Sequence, residues 1–220
     1  MKALGKSYDI EEELAEVQAD CGLVLAEKQK EAVRMVFKSP VSIITGGPGK
    51  GKTTVLKIIL QIFERLEKDQ SVLLCAPTGR ARKRLSESTG YPALTIHKAL
   101  YLTGEEEEDQ ESGECLEEGF IIADEFTMSD MKLSSLLFSR IESGARLVLV
   151  GDVDQLPSVG PGNVFKELIE SGLFQWRLRR RRQIKLRKSI RKNWRPMAAT
   201  RMRCRCCPRC VSTHKQVSLR

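Results

Sequence analysis

The sequence predicts an α/β fold, with a mainly parallel sheet flanked by helices and an irregular basic C-terminal tail. Three observations predict it. Short, almost uninterrupted apolar runs alternate with segments of helical period, the pattern of strands buried on both faces by the helices between them. A glycine-rich loop stands between one such run and the helical segment that follows. The charge changes abruptly near residue 175: the tail carries 17 of the 37 Lys and Arg and none of the 29 Asp and Glu. The formal net charge of +8 therefore averages an acidic body and a strongly basic tail.

The elements follow in order. Residues 11–20 (EEELAEVQAD) form a short charged helix. Residues 25–38 are apolar at Leu25, Ala32, Val33, Val36 and Phe37, an amphipathic helix that Pro40 closes. The β-branched run 41–45 (VSIIT) is a buried strand. After the glycines, 52–67 is a long helix, apolar at Val55, Leu56, Ile59, Leu60, Ile62 and Phe63. Residues 71–76 (SVLLCA) are a strand, 79–88 a helix stopped by Gly90, and 95–102 (TIHKALYL) a short helix. Residues 104–118 carry nine acidic side chains and few apolar ones, a solvated loop. A strand at 119–123, a helix at 130–142, a strand at 146–150 and a helix at 163–171 complete the alternation. The lead-in helix takes residues 1–22, the main domain 23–174 and the tail 175–220.

The body holds three of the seven cysteines, Cys21, Cys75 and Cys115, at a spacing that makes no disulfide framework. Residues 1–20 are acidic and lack an apolar core of signal-peptide length. No apolar run approaches the ~20 residues of a membrane span. The expectation is a reducing, cytoplasmic setting with no membrane partner.

Residues 46–54 read GGPGKGKTT and satisfy G-x-x-x-x-G-K-[ST] through Gly46, Gly51, Lys52 and Thr53, with a strand before and a helix after. Glycines let backbone N–H groups turn inward around phosphate oxygens, and the helix N-terminus adds free donors and a positive dipole end. Lys52 reaches the β- and γ-phosphates and the Thr53 hydroxyl ligates Mg²⁺. The expectation is a P-loop NTPase. Lys50 either adds charge near the phosphates or faces solvent. Residues 120–125 (FIIADE) end an apolar strand in two carboxylates: Asp124 for Mg²⁺ and Glu125 to polarise the attacking water. Asp130 fits a helix N-terminus better than a ligand. A third loop, 151–162 (GDVDQLPSVGPG), offers Asp152 and Gln155 to the γ-phosphate or the lytic water.

GGPGKGKTT, APTGRARKRL, TIHKAL, ADEFTM and GDVDQLPSVGPGNVF, in that order and preceded by LAEKQKEAV, resemble the first, RecA-like motor domain of RecD-like superfamily 1 DNA helicases. The resemblance covers about residues 23–174. It implies an ATP-dependent helicase or translocase that uses ATP and Mg²⁺, moves 5′ to 3′ on single-stranded DNA, and works in a recombination or repair complex. Gln29 would contact the adenine. Gly47, Pro48, Gly49, Lys50, Gly51, Lys52, Thr53 and Thr54 would hold the triphosphate, with Thr53 and Asp124 on the metal. Lys52, Asp124, Glu125 and Gln155 would serve catalysis, Gln155 as γ-phosphate sensor. Thr78, Arg80 and His97 lie in segments that line the DNA track in this family; read from the residues alone, Thr78 is equally a helix cap and His97 a packed helix residue. Departures are Lys50, where the family usually has Thr, Phe126 and Thr127 in place of smaller residues, and Arg82 where a small residue is common.

Such helicases close two RecA-like domains around ATP, the second supplying an arginine finger. The sequence presents one, so the expectation for this chain alone is nucleotide binding, weak hydrolysis and no unwinding. The helicase module of a conjugative relaxase shares much of the pattern. The tail admits three readings: a frame-shifted continuation, a basic arm that binds phosphate backbones, or a zinc site from Cys204, Cys206, Cys207, Cys210 and His214. With the second, the chain becomes a non-enzymatic nucleic-acid-binding protein.

Overall fold

The computed structural model describes residues 9–102, 115–156, 158, 160–172 and the backbone of 175–176. Two helices come first. α1 (Ile10–Cys21) starts at Asp9, whose carboxylate accepts from the Glu11 and Glu12 amides, and stops at Gly22 in the left-handed region. α2 (Glu27–Lys38) ends just before Pro40. Then β1 (Val41–Thr45) leads through the glycine-rich loop into α3 (Lys52–Leu66). β2 (Val72–Ala76) is followed by α4 (Gly79–Thr89), β3 (Ala93–Thr95) and a single turn, α5 (Ile96–Ala99). Beyond the acidic segment come β4 (Phe120–Ala123), a 3₁₀ turn at Phe126–Met128, α6 (Met131–Ser139), β5 (Arg146–Gly151), α7 (Val164–Ser171) and β6 (Gln175–Trp176).

The strands form one sheet in the order β3-β2-β4-β5-β1-β6, every pairing parallel. The expected α/β architecture is therefore present. Parallel pairing puts all carboxyl ends on one edge, where ligands of open α/β sheets bind. Alternation along each strand divides the core in two. Ile44, Leu74, Phe120, Ile122, Val148 and Val150 pack with α1, α2, α3 and α4. Ile43, Leu73, Cys75, Ile121, Ala123, Leu147 and Leu149 pack with α5, α6, α7 and the 3₁₀ turn. The runs read as unbroken apolar stretches because both faces are covered. Burial lifts the Cys75 thiol to about 12, so it behaves as a small apolar residue.

Sidechain chemistry fixes the helices to the sheet. Phe63 of α3 stacks on Phe120 of β4 with ring centroids 4.4 Å apart. Arg146 opens β5 as a buried cation because its guanidinium donates to the Phe37 and Val36 carbonyls at 2.8 and 3.3 Å, satisfying the open end of α2. Arg65 of α3 pairs with Glu16 at 3.1 Å and with Asp20, and Arg34 of α2 pairs with Glu11, and with Glu27 at 2.8 Å. These four contacts hold α1 and the start of α2.

Three local expectations need correction. The segment 95–102 is not one helix: Ala93–Thr95 pairs with Leu74–Ala76 and only Ile96–Ala99 is helical. Three residues after Pro92 are too few for a period to register. The helix expected at 130–142 stops at Ser139, because the Arg140 carbonyl accepts from the Leu116 amide at 2.7 Å and its guanidinium turns to the Leu100 carbonyl. The sheet also takes in Gln175 and Trp176, which pair with Ser42 and Ile43. The remainder of the tail and its cysteines lie outside the described residues, as do 103–114 of the acidic segment.

Candidate functional site

The strands of the parallel sheet end on one carboxyl edge, where β1 is followed by Gly46, β4 by Asp124 and β5 by Asp152. β1 runs into Gly46–Gly51, where Gly49 and Gly51 have φ of 70° and 78°, a region open to glycine and strained for other residues. A Cβ at Gly51 would also lie 2.5 Å from the Gln29 amide nitrogen, so that side chain would have to move away from the loop. Lys52 opens α3 and folds its ammonium back onto the Gly46 carbonyl at 2.5 Å. Thr53 and Thr54, one and two residues on, are half-buried; Gly47 is half-buried, and Pro48, Gly49 and Lys50 are exposed.

Gln29 reaches this loop from α2. Its carbonyl oxygen accepts from the Ala26 amide at 2.9 Å, closing the first turn of α2, and its amide donates to the Lys50 carbonyl at 3.2 Å. The side chain expected at the adenine thus joins the helix start to the glycine-rich loop.

Asp124 and Glu125 follow β4. The Asp124 amide donates to the Cys75 carbonyl at 2.9 Å, and Glu125 takes φ 51° and ψ 36°, an uncommon left-handed conformation for a residue with a Cβ. One oxygen of Glu125 and the Thr45 hydroxyl at the end of β1 are buried with no partner among the described residues. Burial pushes the Asp124 carboxyl up to about 6; the Glu125 charge adds to the rise, while a hydrogen bond from the Glu125 backbone and the Lys52 charge oppose it. Lys52 and the acidic pair are therefore within electrostatic reach of one another.

β5 delivers the third loop. The Gly151 carbonyl accepts from the Gly46 amide at 3.3 Å, tying this exit to the start of the glycine-rich loop. Asp152 is buried, and its carboxylate accepts from the Asp154 amide at 3.1 Å, which shapes its own turn. The Gln155 amide donates to the Asp152 carbonyl at 3.1 Å. Among the described residues no hydrogen bond joins the Gln155 side chain to Asp124 or Glu125.

Thr78 caps α4, accepting from the Ala81 amide at 3.2 Å. Arg80 and His97 are exposed, so His97 is not packed inside. They leave neighbouring strand ends, since Ala76 pairs with Thr95. Asp130 is the N-cap of α6, accepting from Leu133 at 2.8 Å.

The AAA domain family matches residues 29–161, more than half of the chain, and takes in each expected nucleotide-binding and catalytic residue from Gln29 to Gln155. The chain belongs to the AAA domain family. This AAA domain is 38% identical over 138 residues to the ATP-dependent RecD2 DNA helicase of Deinococcus radiodurans, covering 63% of this chain and 19% of that protein. It is 34% identical over 165 residues to the RecBCD enzyme subunit RecD of Haemophilus influenzae, with 64% and 26% covered, and 32% identical over 165 residues to that of Mycobacterium tuberculosis, with 66% and 29% covered. The RecD-like resemblance is borne out, and the chain spans from a fifth to under a third of the length of these relatives. A crystal structure of Bacteroides Pif1 with ADP-AlF4 overlays with a TM-score of 0.47 at 20% identity, covering 68% of this chain and 36% of that one. No helix among the described residues is long and apolar enough to cross a membrane.

The oxygen donors of the AAA domain suit magnesium. Mg²⁺ is usually held by one or two carboxylates, water and substrate phosphates, so no full protein cage is needed, and none occurs among the described residues. The unpartnered Glu125 oxygen, and the Asp124 carboxyl that burial raises, are oxygens whose charge such a cation would offset. This gives a pH prediction. In metal-free buffer, the unfolded Asp124 carboxyl ionises near 3.8 and the folded one near 6. The native state binds more protons in that interval, so stability falls as pH rises from 3.8 to 6 and stays low above it. At 1.36 kcal/mol per pH unit the loss is at most about 3 kcal/mol. Asp124→Asn is expected to raise the urea midpoint at pH 7.5 and to flatten that fall. A variant with the wild-type pH profile shows that Asp124 is not the titrating group.

Proposed function

We propose that this RecD-like AAA domain binds ATP with Mg²⁺ and hydrolyses it to drive movement along single-stranded DNA, 5′ to 3′, as a DNA helicase or translocase. One observation carries the proposal: Lys52 and the Asp124–Glu125 pair converge on the Gly46–Gly51 loop at the carboxyl edge of a parallel sheet. In this reading Lys52 leaves the Gly46 carbonyl for the β- and γ-phosphates, and the backbone amides of 49–53 hold their oxygens. Thr53 and Asp124 would hold Mg²⁺, which when bound neutralises the phosphate oxygens. Glu125 accepts a proton from the attacking water, and Gln155 senses the γ-phosphate. Gln29, freed from Lys50, turns to the adenine.

Exposed Arg80 and His97, with Thr78 beside them, supply the donors that a DNA backbone needs. The relatives named as RecBCD subunits support a place in a recombination complex, and a cytoplasmic setting belongs to the same reading. The test is phosphate release from ATP with and without Mg²⁺ and a single-stranded oligonucleotide. Hydrolysis that needs the metal and rises with the oligonucleotide is expected. Binding of neither ATP nor the oligonucleotide sinks the proposal.

A further inference from the structure

The 3₁₀ turn after the acidic pair is fastened to the exit of β5 by one hydroxyl. Thr127 is buried, and its Oγ1 accepts from the Asp152 amide at 3.0 Å and donates to the Asp152 carbonyl at 3.3 Å. That same carbonyl accepts from the Gln155 amide. The contact is possible because residue 151 is glycine: a Cβ there would lie 2.6 Å from Thr127 Oγ1 and 2.9 Å from the Phe165 ring. The turn itself is rigid. Met128 donates to the Glu125 carbonyl and Ser129 to that of Phe126, both at 3.0 Å, and Phe126 is fully buried between Phe138 and Phe165.

The chain from Glu125 to Gln155 is thus short and has one side-chain link: Glu125, two residues to Thr127, across to Asp152, and one turn to Gln155. We infer that Thr127 is a positioning residue, whose hydroxyl sets the separation of Glu125 from Gln155 so that both address the same γ-phosphate. The inference rests on the ATP-hydrolysis reading above. Thr127 itself touches neither nucleotide nor metal. Valine has the same shape and lacks the hydroxyl; serine keeps the hydroxyl and loses a methyl.

The chain is tested as Thr127→Val and Thr127→Ser, with urea midpoints and circular dichroism to confirm folding. Two readouts separate positioning from mere stability. Thr127→Val is expected to lower kcat by roughly 10-fold or more while KM for ATP stays within about twofold, since displaced catalytic groups cost rate before they cost affinity. It should also weaken binding of ADP with aluminium fluoride, a transition-state mimic, by about tenfold and leave ADP affinity within twofold. Thr127→Ser should restore both. The inference is overturned by a valine variant that matches wild type, by equal losses for ADP and the mimic, by serine failing to rescue, or by a wild-type chain that binds the mimic no more tightly than ADP. If valine does not fold, the serine variant and its mimic-to-ADP ratio decide alone: a ratio unlike wild type overturns the inference. Lys52→Ala keeps the two levels apart. If that variant binds ADP like wild type, the nucleotide site itself is misassigned.

Discussion

Lys52→Ala is expected to remove nucleotide binding. The Lys52 ammonium is the charged side chain already turned into the glycine-rich loop, bonded to Gly46 at 2.5 Å. Charge-assisted hydrogen bonds contribute roughly 1.5–3 kcal/mol each, and contact with two phosphates involves at least two of them. The expected loss is therefore roughly 10²-fold or more in affinity for a fluorescent ATP analogue. The same variant also frees the Gly46 carbonyl, which water can reach at this half-buried position, so the fold is expected to survive. Affinity within a factor of two of wild type would show that the loop does not grip phosphate through Lys52.

Glu125→Gln is expected to separate binding from chemistry. The glutamine keeps size and hydrogen-bonding capacity but cannot take a proton from water. Loss of a general base lowers rate by about 10²–10⁴-fold. ATP affinity should change by no more than a few-fold, because Glu125 lies beyond the glycine-rich loop and one of its oxygens is unpartnered in the folded chain. Single-turnover hydrolysis beside equilibrium binding measures both. If rate and affinity fall together, Glu125 contributes to nucleotide or metal holding and the base lies elsewhere. Neutralising Glu125 also removes one of the charges that raise Asp124, so the pH profile of stability should shift downward in the same variant.

Most of this architecture was legible from residue order. β1 and the start of α3 fall where VSIIT and KTTVLKIIL place them, because apolar period and glycine punctuation act locally. The phosphate loop was equally legible: its chemistry is written in contiguous residues. What escaped was set by contacts between distant segments. β3 and β6 are strands only because β2 and β1 offer open edges beside them. The clamp between Thr127 and Asp152 joins positions 25 residues apart, and no spacing rule marks it. A clue did exist at Gly151, a glycine ending an apolar strand, which marks close approach of another group. The turn that Asp152 builds was hidden for the same reason, since its carboxylate accepts from the Asp154 amide only once β5 has buried it.

The resting position of Lys52 has a kinetic consequence. A free ammonium would wander among rotamers, and each arriving nucleotide would wait for it and for the loop to take shape. Here the ammonium is parked on the loop's own carbonyl, and Gly49 and Gly51 already hold the left-handed turns. At the phosphates, arrival then requires the exchange of one acceptor for another within a preformed bowl, with Gln29 released from Lys50 beside it. Association should be correspondingly quick and insensitive to the variants discussed above that spare the loop, so that differences in affinity among them appear as differences in residence time.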